Sequence, residues 1–458
     1  MTLHARPRLI RISSALYGCF LVWVLVHRGA VPNPVAVRYA WGAADRPKRL
    51  NVEGLPPASI RAKESSREPK WESLIKENTL DGWVQRGGKA KYHVEDGAIV
   101  GTSVPGTPNS FLCSEREFGD FELELEFKVD PRLNSGIQIR SNSVAGYRNG
   151  VVHGYQVEID PGERAWSAGI YDESRRGWLF PLKDNEAARN AFKQNEWNHT
   201  RIVAVGDLIE TWINGVVAAD LTDSLTRIGF IGLQVHGTKE TEPMQVRWRN
   251  IRVKDLGVPG VEPPPAAIVL LDESGDLSHW EHAGKPGSSI KWRFKDGALE
   301  VEPRSGSIVT KRVFGDCRLH VEFNVDDNGK QGQANGNSGV YIQRRYEVQI
   351  LNSAGQQPAD NICGGIYKVK PADFNMARPA GQWQTYDITF RAPRWDAEGK
   401  KVAGARITVY HNGTRIHDDI EIPDKTGGGQ PEGAQDGALL LQDHGNRIRF
   451  RNIWIVVK

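Results

Sequence analysis

The chain has 458 residues and nearly balanced charges, with 59 basic and 56 acidic side chains, together with 48 glycines, 25 prolines and 14 tryptophans. This length exceeds one ordinary core and suits two domains of about 180 to 200 residues each plus a tail. The charges are interspersed, so they form no basic stripe and argue against a nucleic-acid partner. The composition favours turns and strands over helices.

The N-terminus has the order of an export signal. Arg6, Arg8 and Arg11 precede the apolar run from Leu16 to Val26, which predicts a signal peptide or membrane anchor within residues 1–30. The proline-rich, charged stretch 31–69 predicts a disordered spacer. We therefore expect an exported protein that is periplasmic, cell-surface or secreted, with membrane attachment through the N-terminal segment as an open option.

The rest of the chain contains the same landmarks twice in the same order. The first copy is expected at 70–256 and the second at 267–458, with a proline-rich linker at 257–266. Matching segments include Phe118–Phe127 with Phe314–Phe323, Tyr155–Ile159 with Tyr346–Ile350, and Asn214-Gly215 with Asn412-Gly413. The sequence therefore predicts a duplicated domain.

Nearly every landmark alternates apolar and polar residues, which is typical of half-buried antiparallel strands. Phe121, Leu123 and Leu125 share one face, and Glu122 and Glu124 share the other. The two Asn-Gly pairs predict tight hairpins. An all-β fold of two tandem jelly-roll β-sandwich domains is the expected architecture.

The same alternation identifies polar residues on the outer face of a sheet, where a ligand would meet them. In the first copy these are Gln138, Arg140, Gln156, Glu158 and Asp160, and in the second they are Tyr341, Gln343, Glu347 and Gln349. Their paired donors and acceptors suit sugar hydroxyls, and Trp166, Trp178, Tyr341 and Tyr367 offer aromatic faces. Each of these residues taken alone also fits an ordinary solvated strand face or ordinary packing.

A histidine followed by glycine recurs after matching strands, as His236 in the first copy and His444 in the second. Gln442 and Asp443 precede His444, and a turn at Gly445 could direct Asp443 and His444 towards Glu347 as a metal or base site. A structural role for each histidine remains the alternative.

The ordered motifs of the second copy resemble the 3-keto-disaccharide hydrolase domain family, which has a concanavalin-like jelly-roll fold. The resemblance rests on the following segments: Gly339–Gln343, Tyr346–Leu351, Gln382–Ile388, His411–Gly413, Leu441–Asn446 and Phe450–Trp454. It implies cleavage of glycosides oxidised at C3, by base-promoted elimination and hydration or by direct hydrolysis.

The resemblance also suggests roles for the candidate residues. Glu347 is the expected base or metal-bound carboxylate, Gln349 and Gln343 orient the substrate, and Asp443 with His444 stabilise the enediolate. A divalent cation (Ca, Mg or Zn) is an option at this site. The remaining expected substrate contacts of the second copy are Tyr341, Tyr367 and Gln442.

The first copy departs from the second at an important place. Gln156 stands opposite Glu347 and Glu158 opposite Gln349, so the acid and the amide exchange positions. The expected catalytic counterparts are Glu158 and Asp160, and the expected substrate contacts are Gln138, Arg140, Gln156, Trp178 and His236. One copy could therefore catalyse while the other binds.

A non-catalytic carbohydrate-binding or cell-surface module is the alternative function, because a jelly roll hosts many activities. In either case the expected partner is a carbohydrate.

Overall fold

The computed structural model describes residues 69–76 and 79–458. The predicted signal or anchor segment lies outside the described residues, as does the predicted spacer apart from Pro69. Trp71–Lys458 form one compact unit. No helix within the described residues is long and apolar enough to cross a membrane.

The first copy consists of two antiparallel sheets. Its strands are β1 (Trp71–Ser73), β2 (Trp83–Gly87), β3 (Lys91–Glu95), β4 (Ala98–Thr102), β5 (Ser110–Phe118), β6 (Asp120–Val129), β7 (Ser135–Asn142), β8 (His153–Ile159), β9 (Ile170–Glu173), β10 (Gly177–Phe180), β11 (Asn198–Val205), β12 (Leu208–Ile213), β13 (Val216–Thr222), β14 (Gly229–Val235) and β15 (Gln245–Gly257). One sheet has the order β13-β12-β11-β6-β15-β4-β3, with β1 also pairing β15, and the other has the order β10-β9-β8-β7-β14-β5-β2. A 3-10 helix covers Arg148–Gly150, and α1 covers Glu186–Ala191.

The second copy repeats this plan. Its strands are β16 (Ile268–Leu271), β17 (Trp280–His282), β18 (Arg293–Lys295), β19 (Ala298–Glu300), β20 (Ile308–Phe314), β21 (Cys317–Val325), β22 (Ser338–Ile342), β23 (Tyr346–Ile350), β24 (Trp383–Arg391), β25 (Arg394–Trp395), β26 (Lys401–Ala403), β27 (Ala405–His411), β28 (Thr414–Ile422), β29 (Gly437–Leu441) and β30 (Ile448–Val457). One sheet has the order β18-β19-β30-β21-β24-β27-β28, with β16 also pairing β30, the other has the order β17-β20-β29-β22-β23, and β25 pairs β26 separately. A 3-10 helix covers Gly332–Ala334.

The alternation of β6 shows why these segments form a sandwich. Phe121, Leu123 and Leu125 are buried in the core of the first copy. On the opposite face of β6, Glu124 bonds to Arg252 of β15 and Glu122 bonds to Arg201 of β11. The prediction of two tandem β-sandwich domains of jelly-roll type is confirmed.

The predicted Asn-Gly hairpins are also present. Asn214 and Gly215 join β12 to β13, and Asn412 and Gly413 join β27 to β28. All four residues have positive φ, as a tight hairpin with right-handed twist requires.

Backbone hydrogen bonds join the two copies at one of these hairpins. Arg227 N–H donates to Gly413 O at 2.8 Å, and Arg415 N–H donates to Leu225 O at 2.8 Å. The Tyr147 ring of the first copy also packs against Phe374 of the second, with ring centres 5.5 Å apart. The copies are therefore fixed to each other by more than the chain that links them.

Candidate functional site

Strands β8 and β23 carry the predicted polar side chains away from the core. In β23, Tyr346, Val348 and Ile350 pack in the core of the second copy. Glu347 and Gln349 alternate with them and therefore project from the opposite face of the sheet. Gln156 and Glu158 hold the corresponding positions of β8.

A cleft of about 300 Å³ opens over this face in the first copy. Its lining combines amides, carboxyl groups, a guanidinium, aromatic rings and an imidazole: Asn109, Asn134, Gln156, Glu158, Arg164, Tyr171, Glu173, Trp178 and His236. We call it the first-copy cleft. It brings together four residues that the sequence singled out, namely Gln156, Glu158, Trp178 and His236.

Glu158 is held by amides at the base of this cleft. Asn134 Nδ2 donates to its Oε1 at 2.7 Å, and Gln156 Nε2 donates to its Oε2 at 2.8 Å. Burial raises the pKa of Glu158, and the hydrogen bonds from Asn134 and Gln156 reduce the rise. Gln138 lies behind this pair, because it is fully buried and its Nε2 donates to Gln156 Oε1 at 2.6 Å.

Glu173, on β9, adds a second carboxyl group to the cleft. Burial raises its pKa, and a hydrogen bond from Ser174 and the nearby charge of His236 reduce the rise. Asn109 Nδ2 also donates to Glu173 Oε1 at 3.5 Å. His236 itself is exposed.

Asp160 anchors the loop beside the cleft and does not line it. Its carboxylate accepts hydrogen bonds from Arg164 Nε at 2.7 Å and from the backbone N–H of Trp166 at 3.2 Å. The guanidinium of Arg164 in turn lies 4.9 Å from the ring centre of Trp178. Asp160 therefore positions Arg164. The expectation that Asp160 is a catalytic residue is corrected accordingly.

The alternation of apolar and polar residues also predicts the wrong positions for Arg140 and Gln343. The sequence predicts both on the outer face, but both have positive φ, 46° at Arg140 within β7 and 55° at Gln343 directly after β22. Arg140 is fully buried and donates to Gly119 O, Gly206 O and Asp120 Oδ1. Gln343 donates to Phe314 O at 2.9 Å. The left-handed backbone redirects each side chain away from the face that holds the polar set.

The second copy gathers a compact group that we call the Glu347 cluster, formed by Tyr341, Glu347, Gln349 and Gln442. Tyr341 Oη donates to Glu347 Oε2 at 2.6 Å, and Gln442 Nε2 donates to Tyr341 Oη at 3.2 Å. In the amide orientation that satisfies its neighbours, Gln349 donates to Glu347 Oε1 at 3.0 Å.

Burial raises the pKa of Glu347 to about 7, and the hydrogen bond from Tyr341 limits the rise. Burial, and then the charge of Glu347, raise the pKa of Tyr341, so its phenol stays protonated near neutral pH. A carboxyl group that titrates near neutrality, beside a fixed proton donor, suits general acid–base chemistry.

Glycines make room for this group. A Cβ atom on Gly339 would lie 2.4 Å from Glu347 Oε1, so the position requires glycine. Thr426 Oγ1 accepts the Glu347 backbone N–H at 2.8 Å. The segment Thr426–Gly429 continues across the cluster, with a Cβ on Gly427 lying 2.6 Å from the Tyr367 ring and one on Gly428 lying 3.7 Å from Tyr341 Oη. Glu347 is therefore only 2% exposed.

Asp443 and His444 are not drawn into the Glu347 cluster. The Asp443 carboxylate accepts the backbone N–H groups of Arg304 at 3.1 Å and Gly306 at 2.9 Å, and His444 is exposed. Asp443 therefore anchors a loop, which corrects the expected convergence of this pair with Glu347.

Within residues 69–76 and 79–458, no group of three or more His, Cys, Asp or Glu side chains is arranged to hold a metal ion. This finding does not test the divalent cation (Ca, Mg or Zn) expected as an option, which stays a prediction.

Sequence reasoning missed several residues of both sites. Tyr171 and Glu173 project from β9 into the first-copy cleft, and the alternation of Ile170–Glu173 carries the signal that could have found them. Asn109, Arg164 and the segment Thr426–Gly429 reach the sites from loops, for which the sequence offers no periodic signal.

The comparisons with known proteins identify relatives for both copies. The family model described as 3-keto-alpha-glucoside-1,2-lyase-like domain matches residues 70–254 and 266–456. A 3-keto-disaccharide hydrolase of Bacteroides thetaiotaomicron is 22% identical over 236 residues, covering 41% of this chain and 78% of the relative.

Part of the chain is also similar to solved structures. A candidate glycosyl hydrolase from Parabacteroides distasonis is 33% identical, with a TM-score of 0.39, and the match covers 43% of this chain and 85% of that one. The carbohydrate-binding module CBM66 from Bacillus subtilis is 16% identical, with a TM-score of 0.29, covering 40% of this chain and 99% of that one.

Proposed function

Because this chain belongs to the 3-keto-alpha-glucoside-1,2-lyase-like domain family, with one match in each copy, we propose that it cleaves 3-keto-glycosides with Glu347 as the general base. The first copy binds sugar in this proposal and the second copy carries the chemistry. The observation that carries it is the buried Glu347 carboxyl group, whose pKa of about 7 lies where a general base works best at neutral pH.

The chemistry follows from the ketone at C3, which acidifies the proton on C2. Glu347 takes that proton, the electrons of the C2–H bond form a C1=C2 double bond, and the bond from C1 to the glycosidic oxygen breaks. The departing oxygen takes a proton from Tyr341 or water. Water then adds its oxygen to C1 and a proton to C2, so the net reaction is hydrolysis.

Neighbouring groups prepare Glu347 for this step. Tyr341 and Gln349 each hold one carboxylate oxygen, which fixes the direction of the base. Since Glu347 is nearly inaccessible, the segment Thr426–Gly429 has to move before a sugar reaches it. Its three consecutive glycines allow such a movement at low conformational cost.

The first-copy cleft favours binding over chemistry. Glu158 accepts hydrogen bonds from two side-chain amides, whereas Glu347 also accepts one from the Tyr341 phenol. We therefore assign Glu158 to accepting a hydrogen bond from a sugar hydroxyl. Trp178 and Tyr171 line the same cleft and offer apolar faces to a pyranose ring.

The test is turnover of the full chain on 3-keto-glucosides and on the unoxidised parent disaccharides, with and without EDTA. We expect products only from the keto-sugars, the same rate with EDTA, and a loss of about 100-fold or more for Glu347→Gln. Glu273→Gln is the matched control, because Glu273 is an exposed carboxylate of the same copy. Trp178→Ala should weaken sugar binding without removing turnover.

Binding of keto-sugars without product would reject the catalytic proposal in favour of the carbohydrate-binding module. Full activity of Glu347→Gln would remove Glu347 from the reaction.

We also propose that the protein acts outside the cytoplasm, which the order of Arg6, Arg8, Arg11 and the apolar run from Leu16 to Val26 supports. Fractionation of a bacterial host should recover the chain outside the cytoplasm, and deletion of residues 1–30 should retain it inside.

A further inference from the structure

A second cavity, of about 440 Å³, lies in the second copy away from the Glu347 cluster. Its lining comes from the turn before β21, the turn after β22, the segment that contains β25, the loop before β29 and the end of the chain at β30: Gly315, Asp316, Gln343, Ala392, Pro393, Arg394, Trp395, Gly433, Ala434, Gln435, Asp436, Val457 and Lys458. We call it the Trp395 pocket. It shares no lining residue with the Glu347 cluster.

The first copy has an arginine at the corresponding place. Gly119-Asp120 matches Gly315-Asp316, and Arg140 matches Gln343. Arg140 is fully buried against Asp120, with Nη2 at 3.1 Å from Oδ1. In the second copy the shorter glutamine leaves this space open, and Asp316 pairs instead with Arg394.

An insertion completes the pocket. Strands β11 and β12 are joined by Gly206 and Asp207, whereas residues 392–404 separate β24 from β27 and carry Arg394 and Trp395. Trp395 is half-buried in the lining, and its indole N–H has no hydrogen-bond partner among the described residues. The pocket therefore has an aromatic wall that the first copy lacks at this place.

The polar groups of the pocket balance in charge. Arg394 donates to both oxygens of Asp316, at 2.9 and 2.5 Å, and is 49% exposed. Asp436 and Gln435 are exposed in the same lining, and Lys458 adds a second cation. With two acidic and two basic side chains in the lining, the pocket lacks the excess of cations that a phosphate or nucleotide requires.

An indole beside interspersed donors and acceptors suits a neutral polyhydroxylated ring. The volume lies within the range of small-molecule sites, roughly 300 to 1,000 Å³. We propose that the Trp395 pocket is a separate saccharide-binding site that takes one or two neutral hexopyranose units by stacking against Trp395 and bonding to Asp436 and Arg394. This site goes beyond the proposed cleavage and takes no part in it.

The test follows the Trp395 signal in ¹⁹F NMR of the full chain labelled with fluorotryptophan, titrated with glucose, maltose and trehalose. Trp395→Phe identifies the signal. We expect a saturable shift of this signal with at least one sugar, at concentrations up to about 100 mM, which would fill even a site with a Kd of about 10 mM.

Two variants sharpen the result. Trp395→Ala should weaken the affinity of the responding sugar at this site about tenfold, as read from any remaining shift of nearby signals, while Trp71→Ala should leave the affinity unchanged. Trp71 is a partly exposed tryptophan of the first copy and lies outside the pocket. Thermal unfolding close to that of the wild type shows that the variants are folded.

Shifts confined to other tryptophans, or no shift with any of the three sugars, would overturn the proposal. The readout needs no turnover, so it is independent of the proposed reaction. Failure of the Glu347→Gln test would leave the Trp395 result unaffected, and the reverse also holds.

Discussion

Replacing Glu347 by glutamine should stabilise the second copy at alkaline pH and leave its stability unchanged at acid pH. The pKa of Glu347 is raised from 4.5 to about 7 by burial, so the folded state holds a proton that the unfolded chain releases more easily. Below about pH 4.5 Glu347 is protonated in both the folded and the unfolded state, so it carries no penalty and does not lower the free energy of unfolding. Between the two pKa values the penalty grows with pH, and above about pH 7 it is constant.

The size of the effect follows from the two pKa values. Each pH unit between them is equivalent to about 1.4 kcal/mol, so ionised Glu347 costs the folded state about 3 kcal/mol at pH 8. Glutamine keeps an oxygen that accepts from Tyr341 but carries no charge. The free energy of unfolding of Glu347→Gln should therefore exceed that of the wild type by up to about 3 kcal/mol at pH 8, and should equal it near pH 4.

Urea unfolding of the full chain at several pH values measures this difference, taken on the transition that belongs to the second copy. Glu322→Gln is the control of opposite sign. Burial alone would raise the pKa of Glu322, but hydrogen bonds from His320, Asn452 and Arg451 outweigh it and lower the pKa to about 2. That variant should lose stability above about pH 4.5. Equal stability of Glu347→Gln and wild type at every pH would refute a raised pKa at Glu347.

Three further outcomes test the site and the fold. If ionised Glu347 is the base, kcat/KM on a 3-keto-glucoside should rise about tenfold per pH unit below pH 7 and level off above it, and a fall above pH 7 would indicate an acid instead. Gly339→Ala places a Cβ 2.4 Å from Glu347 Oε1 and should lower turnover at least about tenfold, whereas Gly284→Ala, with nothing closer than 3.7 Å, should match the wild type. Arg140→Ala removes the buried guanidinium that pairs with Asp120 and should cost about 3 to 5 kcal/mol in urea unfolding, against less than about 1 kcal/mol for the exposed Arg132→Ala.

The alternation of apolar and polar residues predicted the fold and much of both sites, because sheet pleating alone decides which side chains leave the core. It placed Gln156 and Glu158 in the first copy and Glu347 and Gln349 in the second on the correct face. Alternation predicts the face of a side chain only where the backbone is extended. The prediction failed at Arg140, where φ is positive and the backbone is not extended.

Contacts between segments that are distant in the chain could not be predicted from the sequence. Asp443 bonds to backbone groups near Arg304, more than a hundred residues away in the chain, so its neighbours could not be read from local spacing. The Trp395 pocket depends on a substitution in one strand and an insertion in another segment, which become adjacent only after folding. The same applies to Thr426–Gly429, which lies over Glu347 only after folding and is therefore not predicted by local spacing.

The backbone hydrogen bonds at the Asn412-Gly413 hairpin have a consequence for multivalent recognition. Two modules joined by a flexible linker can adopt many separations when they bind a long ligand. The length of the linker then sets the effective concentration of the second module at its site. Here Arg227 and Gly413 hold the copies in one register, so this contact, and not the length of the segment 257–266, sets the distance between the proposed sites. A polymer that bridged both proposed sites would need a repeat that matches this distance.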